Sequence, residues 1–306
     1  MITKELTTYK EFGNVIKISN GKTEMLITKD FGPRIIRYGF IGGENIMNDE
    51  IFSTIEKNEK IEKYYYKGAY WKNYGGHRLW VSPESMPETY YPDNEPYEFE
   101  FTENGVKITN APQKENGVQL TFVIEYKNDD ITVKHIIKNI GNAPKTFAAW
   151  ALTVAAKGGI EIIPFNDNDT GLLHNRQISI WHYTDLRDER IYLGHKYATV
   201  LQDVNAKTNL KLGFNNNKGF AFYVVNNSTF KISYTPSQDL PYPDNNVSFE
   251  TYSCKDFTEV ETLSPLKTVA PNEEITHTET WQLFKTPCKF NPKDDNSIDE
   301  FVKKIK

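Results

Sequence analysis

Short segments in which apolar and polar residues alternate, each followed by turn residues, recur along most of this 306-residue chain. Residues 14–19 (NVIKIS) and 23–28 (TEMLIT) flank a turn at Gly21, and residues 118–126 and 131–139 flank an Asn-Asp-Asp turn. Strict alternation places every second side chain on the same face of a strand. Well over a dozen such segments at this spacing predict an all-β protein, either a sandwich or a barrel.

Helical periodicity is confined to the end of the chain. There Ser297 is expected to cap a short helix that runs to Lys306, with acidic residues first and lysines last. No linker-like change of composition and no internal repeat interrupts the sequence, so residues 1–306 are expected to form a single domain. Residues 48–74 are weakly patterned and are predicted to form a long excursion over the sheet.

Charge and cysteine content narrow the possible partners. The formal net charge is −5 and no basic block is present, which argues against nucleic-acid and lipid-surface binding. No run of about 18 apolar residues exists, so no membrane span is expected. Cys254 and Cys288 lie far apart and form no metal-type pair. We interpret them as the reduced thiols of a cytoplasmic protein, with one disulfide as the alternative.

Aromatic residues are abundant: 18 Tyr, 18 Phe and 5 Trp. Aromatic side chains favour strands, so one interpretation is a β-rich core. The other is a set of stacking platforms for sugar rings, because an aromatic ring offers an apolar face and, in Tyr and Trp, a polar edge. Composition alone leaves both interpretations open.

One segment, residues 73–84 (NYGGHRLWVSPE), combines two glycines with chemically versatile side chains. The glycines let the backbone approach a neighbour closely. His77 offers an acid or base near neutral pH, Arg78 offers several donors, and Trp80 offers a flat apolar face. We interpret this segment as part of a site. The alternative is a tight turn into an edge strand, with Trp80 in the core.

Two further segments could carry chemistry. Residues 173–190 contain two histidines, two arginines and several carboxylates, which is typical of a binding loop or of a solvated, salt-bridged surface. Glu259 and Glu261 are two residues apart on a predicted strand, so both point to the same face. Neighbouring carboxylates raise each other's pKa, which suits a general base. A polar, solvated strand face is the alternative.

In its last third the sequence resembles the aldose 1-epimerases, or galactose mutarotases. Residues 259–266 (EVETLSPL) and 276–281 (THTETW) look like the closing strands of that family. Four motifs also resemble a largely uncharacterised, DUF4380-like bacterial group: GGHRLWVSPE at 75–84, WALT at 150–153, NR…W-x-YTDL-x-D-x-R at 175–190 and YPD at 242–244. The resemblance covers residues 34–284 and implies an antiparallel β-supersandwich of the galactose mutarotase type.

The resemblance also implies catalytic roles. In mutarotases a glutamate takes the proton of the anomeric hydroxyl while a histidine protonates the ring oxygen. The base is assigned to Glu261, with Glu259, one pleat period away, as the alternative. The strand that carries the histidine of the family corresponds here to residues 147–154 and contains none. The acid is therefore assigned to His77 or His182.

The remaining expectations concern the ligand, which the resemblance predicts to be a small-molecule carbohydrate. The predicted substrate-binding residues are three arginines for hydroxyls or a phosphate and three aromatic residues for stacking: Arg34, Arg78, Arg176, Trp80, Trp150 and Tyr183. Proton shuttling of this kind requires no organic cofactor and no metal ion. The leading hypothesis is a mutarotase-like isomerase acting at an anomeric carbon. The alternatives are a non-catalytic carbohydrate-binding sandwich and a purely structural sandwich.

Overall fold

The computed structural model describes residues 1–50, 55–56 and 58–305, and these residues form two large antiparallel sheets and one small one. The strands of the first sheet are β1 Thr3–Thr8, β2 Asn14–Ser19, β3 Thr23–Thr28, β4 Ile35–Phe40, β7 Gly76–Ser82, β12 Lys145–Ala155, β14 Ile178–Ile180, β17 Leu210–Phe214, β20 Phe249–Ser253, β21 Thr258–Leu263 and β22 Lys267–Val269. Those of the second sheet are β8 Glu98–Phe101, β9 Gly105–Thr109, β10 Val118–Lys127, β11 Asp130–Asn139, β13 Ile160–Pro164, β15 Ile191–Leu193, β16 Tyr197–Leu201, β18 Phe220–Val225, β19 Ser228–Tyr234 and β23 Glu274–Lys285. The small sheet pairs β5 Ile55–Glu56 with β6 Trp71–Lys72.

This architecture confirms the predicted all-β antiparallel sandwich. The strand pairs expected on either side of the two turns are present, since β2 pairs with β3 and β10 with β11. In β10 buried and half-buried residues alternate over nearly the whole strand, because one face packs into the interior and the other lies towards solvent. Strand β12 is buried on both faces over most of its length, which explains its continuous apolar run.

The order of strands in the first sheet positions the candidate site. Strands β4, β7, β12, β21, β20 and β17 lie side by side in that order, although they come from distant parts of the chain. One face of this sheet packs on the second sheet, where Leu79, Ala149, Val260 and Phe249 contribute to a common apolar core. We call the opposite face, which carries Trp150 among others, the outer face.

The C-terminal helix is present, but it begins earlier than predicted. Helix α2 spans Asp295–Lys304 and is capped by Asp294, whose carboxylate accepts a hydrogen bond from the backbone N–H of Asn296. Ser297 lies inside the first turn, where its hydroxyl instead accepts from the backbone N–H of Asn291 at 2.9 Å. The buried face of the helix packs on the second sheet through Ile298 and Phe301, next to Ile162, Tyr197 and Phe222.

The predicted excursion at residues 48–74 contains some regular structure. Helix α1 spans Glu59–Tyr64, and Asn58 caps it by accepting from the backbone N–H of Lys60. Residues 51–54 and 57 of this segment lie outside the described residues. A further short helix spans Pro243–Asn246, and no helix in the described part of the chain is long and apolar enough to cross a membrane. Both cysteines, Cys254 and Cys288, are free thiols.

Candidate active site

Five strands of the first sheet bring their outward side chains together. The register places Trp150 opposite Trp80, and Leu152 opposite both Arg78 and Glu261. Because side chains alternate along a strand, Arg78 and Trp80 share the outer face of β7. Further along the sheet, directly opposite residues on neighbouring strands continue this face. They are Glu261 with Glu250, Glu259 with Tyr252, and Tyr252 with Lys211.

Two cavities open on this face and share part of their walls. Their volumes are about 390 and 270 Å³. The first is lined by Glu84, Met86, Tyr90, Trp150, Trp181, Lys211, Asp244 and Glu250. The lining of the second includes Trp71, Asn73, Arg78, Trp80, Tyr183, Tyr252, Phe257 and Glu259, together with four residues that line both: Glu84, Tyr90, Trp150 and Lys211. We call the two together the joined cavity.

Aromatic rings form one wall of the joined cavity. The Trp80 ring centroid lies 5.1 Å from that of Trp71, 5.3 Å from Tyr90 and 5.6 Å from Trp150, all in tilted or edge-on arrangements. Such arrangements are the favoured ones for aromatic pairs and hold each ring in place. A flat ligand with apolar C–H faces can therefore stack here without first ordering the wall.

The floor of the joined cavity contains a buried charge cluster. The Lys211 ammonium lies 2.8 Å from Glu250 Oε2 and 3.1 Å from Glu261 Oε2. It also lies 4.5 Å from the ring centroid of Trp150 and 4.9 Å from that of Trp181, within cation–π range. Glu261 Oε2 accepts a further hydrogen bond from Trp150 Nε1 at 2.7 Å.

This cluster perturbs the protonation of its members. Burial raises the pKa of Glu250 well above the usual range of a carboxyl group, against the opposing effect of the Lys211 charge. Burial also raises the pKa of Glu261, again opposed by Lys211. The two glutamates raise the pKa of Lys211, so its ammonium stays charged despite burial. The arrangement therefore favours the protonated form of Glu250 more strongly than that of Glu261.

A second ion pair lies at the other end of the joined cavity. Arg78 Nη2 donates to Glu259 Oε1 at 2.9 Å, and the guanidinium lies 4.2 Å from the Trp80 ring centroid. Arg78 is buried, yet its Nε and Nη1 groups have no hydrogen-bond partner. Unsatisfied buried donors are costly, so a ligand oxygen at this position would be stabilising.

The predicted glutamates differ in their access to the cavity. Both point to the outer face, but Glu261 is fully buried beneath Lys211 and Trp150 and does not line either cavity. Glu259 lines the second cavity and keeps a small exposed surface. Geometry thus favours Glu259, the alternative base of the sequence analysis, as the group that can reach a ligand.

His77 is the clearest departure from expectation. Its side chain points to the opposite face of β7 from Arg78 and is buried between the two sheets. His77 Nε2 lies 2.7 Å from His135 Nε2, and Nδ1 lies 2.9 Å from Thr153 Oγ1. Burial lowers the pKa of His77 well below the usual value, so the imidazole is neutral. The acid role assigned to it has no geometric support, because no cavity ligand can contact it.

The partners of His77 form an interior polar network. His135 Nδ1 donates to the carbonyl oxygen of His277, which leaves His135 Nε2 as the acceptor of the His77 Nε2–H. Glu279 lies 3.9 Å from His77 Nε2, and its carboxyl group contacts the Thr262 hydroxyl. Burial raises the pKa of Glu279 to about 7. His77, His135 and Glu279 are close enough to hold a metal ion, but hydrogen bonds running from Thr153 to the His277 carbonyl already satisfy both ring nitrogens of the two imidazoles.

The glycines before His77 have a structural role. Gly75 and Gly76 both have positive φ, at 74° and 64°. A Cβ on Gly75 would collide with the carbonyl oxygen of Asn48, and a Cβ on Gly76 with that of Ile35. The close approach anticipated from the sequence is therefore to neighbouring backbone, and it sets the start of β7.

Three other predicted residues lie away from the joined cavity. His182 is exposed and its ring contacts Tyr183, but it lines neither cavity. Arg34 is buried in an ion pair with Asp93, at 2.6 Å. Arg176 donates to the backbone carbonyl of Asn166 and lies over the Phe165 ring. By contrast, Arg78, Trp80, Trp150 and Tyr183 do line the cavity.

Several lining residues were missed by the sequence analysis. Lys211 and Glu250 lie in ordinary-looking strands, and only the pairing of β17, β20 and β21 brings them together with Glu261. Trp71 comes from the weakly patterned excursion. Asp244 belongs to the YPD motif, which was noted but given no role. Its φ of 52° was a possible signal, because non-glycine residues with positive φ are uncommon and cluster at functional sites.

Comparison with known proteins identifies the fold. No protein-family model and no curated protein matches the sequence. Among solved structures, a galactose mutarotase-like protein from Lactobacillus casei matches with a TM-score of 0.57 and 10% identity, over 88% of this chain and 100% of that one. A galactose mutarotase-like protein from Clostridium acetobutylicum matches with a TM-score of 0.55 and 12% identity, over 93% and 98%. The chain therefore has the galactose mutarotase-type fold, as predicted.

Proposed function

We propose that the protein binds a reducing sugar in the joined cavity and interconverts its anomers by acid–base catalysis. The observation that carries this proposal is the convergence, in one cavity, of an aromatic wall with two carboxyl groups in different environments. Sugar rings stack on such walls through their C–H faces, and anomer exchange needs one group that accepts a proton and one that donates it. The mutarotase-like names of the structural neighbours support the same class of ligand.

Glu259 is the proposed base. It lines the cavity, and a hydrogen bond from Arg78 Nη2 fixes the position of its carboxyl group. Its carboxylate would take the proton of the anomeric hydroxyl, so that the C1–O1 bond gains double-bond character as the bond from C1 to the ring oxygen breaks. Glu261 is proposed instead to fix Lys211 and Trp150 in place, since it is bonded to both.

Glu250 is the proposed acid. Burial raises its pKa and so favours the protonated carboxyl group, and it lines the first cavity. That proton would pass to the ring oxygen as the ring opens. Rotation about the C1–C2 bond and reversal of both transfers give the other anomer, so the protons balance over one cycle. None of the described residues that line the joined cavity is a histidine. Glu250 would therefore take the role that a histidine has in mutarotases.

The test is anomer exchange measured by NMR with a panel of hexoses, pentoses and amino sugars, and their 6-phosphates. Wild-type protein is expected to accelerate exchange above buffer for at least one sugar, and Glu259→Gln and Glu250→Gln are each expected to reduce the rate by about 10²-fold or more. Glu300→Gln is the matched control, because Glu300 is exposed on α2 and lines neither cavity. No acceleration with any sugar would contradict catalysis.

A non-catalytic carbohydrate-binding sandwich is the second candidate. Its specific support is that Glu259 and Glu250 are already paired with Arg78 and Lys211, an arrangement that also suits fixed hydrogen bonding to hydroxyls. It predicts ligand-induced NMR line broadening without exchange, and an affinity that changes in Glu259→Gln while no rate is lost. We also propose that the protein is related to the DUF4380-like group. We further propose a cytoplasmic setting, because both cysteines are free thiols.

A further inference from the structure

The two ends of the joined cavity differ in charge. Glu84, Asp244 and Glu250 all line the first cavity, and Lys211 is its one cationic lining residue among those described. The Lys211 ammonium is already shared between Glu250 and Glu261. No lysine or arginine in the described part of the chain forms an ion pair with Glu84 or Asp244. Because Glu250 favours its protonated form, the uncompensated negative charge at this end is that of Glu84 and Asp244.

Glu250 supplies an independent indication that a polar ligand group binds at this end. Its side chain is fully buried, and its Oε1 atom has no hydrogen-bond partner although it belongs to a residue that lines the first cavity. Buried polar atoms are nearly always hydrogen-bonded in folded proteins. A polar group of the ligand next to Glu250 would satisfy this atom.

Aromatic faces at the same end suit a cation. The Lys211 ammonium lies over the rings of both Trp150 and Trp181, so the aromatic residues at this end already contact one positive charge. Tyr90 also lines this end and donates a hydrogen bond to Glu84 Oε1 at 2.6 Å, which fixes that carboxylate at the wall. An ammonium group entering here would meet carboxylates and ring faces together.

The opposite end suits hydroxyl groups, not a phosphate. Arg78 offers two unpartnered donors, but its charge is balanced by Glu259. The other two arginines that the sequence analysis assigned to hydroxyls or a phosphate, Arg34 and Arg176, lie away from the joined cavity. The cations among the described lining residues, Arg78 and Lys211, already have carboxylate partners, so an anionic sugar would bring its charge towards carboxylates instead.

We propose that the sugar bound in the joined cavity carries a protonated amino group, which lies between Glu84 and Asp244 while its hydroxyls face Arg78. This rests on the proposed function only in that a sugar occupies the cavity. It names the substrate class and the two residues that select it.

Isothermal titration at pH 6 with matched ligands tests the proposal. Glucosamine and galactosamine are compared with glucose, galactose, N-acetylglucosamine and glucose 6-phosphate. At least one amino sugar is expected to bind roughly three- to tenfold more tightly than its neutral parent, because each partly exposed charge pair contributes modestly. The N-acetyl form, which lacks the charge, should lose this gain. The advantage should shrink at high salt.

Variants identify the selecting residues. In Glu84→Gln and Asp244→Asn, the ratio of neutral-sugar Kd to amino-sugar Kd is expected to fall towards one. Asparagine tolerates the positive φ at position 244, so the second variant keeps the local backbone. Glu300→Gln changes the net charge equally and should leave the ratio unchanged.

The outcomes separate this inference from the proposed function. Neutral sugars that bind as tightly as amino sugars, or a ratio that is insensitive to both variants, would overturn the inference and leave the proposed function standing. Tighter binding of the 6-phosphate would do the same. If no sugar of any kind binds, the proposed function fails and the inference fails with it.

Discussion

Lys211→Met tests the buried charge cluster on which the candidate site is built. The change removes the ammonium between Glu250 and Glu261 but keeps most of the apolar stem that packs beside Trp150. The side chains of Lys211, Glu250 and Glu261 are only 6%, 1% and 0% exposed, so water cannot replace the lost charge. Removing one partner of a buried ion pair costs about 3–5 kcal/mol.

The structure gives an independent route to this magnitude. Glu250 already favours its protonated form, so the main consequence is that Glu261 must take up a proton. From the ordinary glutamate pKa of 4.5, protonation at pH 7 costs about 3.4 kcal/mol, at about 1.36 kcal/mol per pH unit. At pH 5 the same step costs only about 0.7 kcal/mol. The two routes agree at pH 7, and the second predicts a dependence on pH.

The sign of that dependence follows from linkage. In the variant, the folded state holds a proton on Glu261 that the unfolded state releases above pH 4.5, so rising pH favours unfolding. Urea unfolding followed by circular dichroism should show that the free energy of unfolding of the variant is about 3 kcal/mol lower than that of the wild type at pH 7. At pH 5 the difference should be well under half of that. The double variant Lys211→Met/Glu261→Gln should recover part of the loss at pH 7. A loss below about 1 kcal/mol at pH 7, or one that is equal at both pH values, would refute the reasoning.

Three further predictions follow from the same structure. The rate of anomer exchange should fall as pH rises through the raised pKa of Glu250, because the acid form is lost. Glu250→Gln should show a low rate without this decrease at alkaline pH, and a wild-type rate that does not change with pH would exclude the acid role. His77 and His135 should stay neutral at pH 5.5 in ¹⁵N NMR spectra, because burial lowers both pKa values below the value of about 6.5 for an unfolded histidine. Protonation of either imidazole above pH 6 would contradict the interior network. Gly76→Ala should destabilise the fold by about 2 kcal/mol or more, because φ at this position is positive and a Cβ would collide with the Ile35 carbonyl oxygen. Thermal unfolding measures this loss, and an unchanged stability would contradict the geometry.

The fold was predictable because alternation is a local signal. In β10, each residue's face can be determined from its neighbours alone, and the turn residues mark where the strand ends. The start of α2 was misplaced because both Asp294 and Ser297 are good caps, and only the folded backbone shows which one accepts the N–H of the first turn.

The candidate site was predictable only within single strands. Glu259 and Glu261 were placed on one face by their spacing, and that is where they lie. Whether a side chain on that face reaches the cavity depends on what covers it, and Lys211 covers Glu261 from a strand some fifty residues away. The alternation of side chains along β7 could also have predicted that His77 points to the interior. His77 and the apolar Leu79 are two residues apart, so both lie on the buried face of the strand.

A structure of the protein with a bound amino sugar tests the account most directly. The account predicts a pyranose ring in the joined cavity against Trp80 and Trp150, its anomeric hydroxyl within hydrogen-bond distance of Glu259 and its ring oxygen near Glu250. A sugar bound elsewhere, or one in the cavity whose anomeric carbon faces away from both glutamates, would contradict the proposed mechanism.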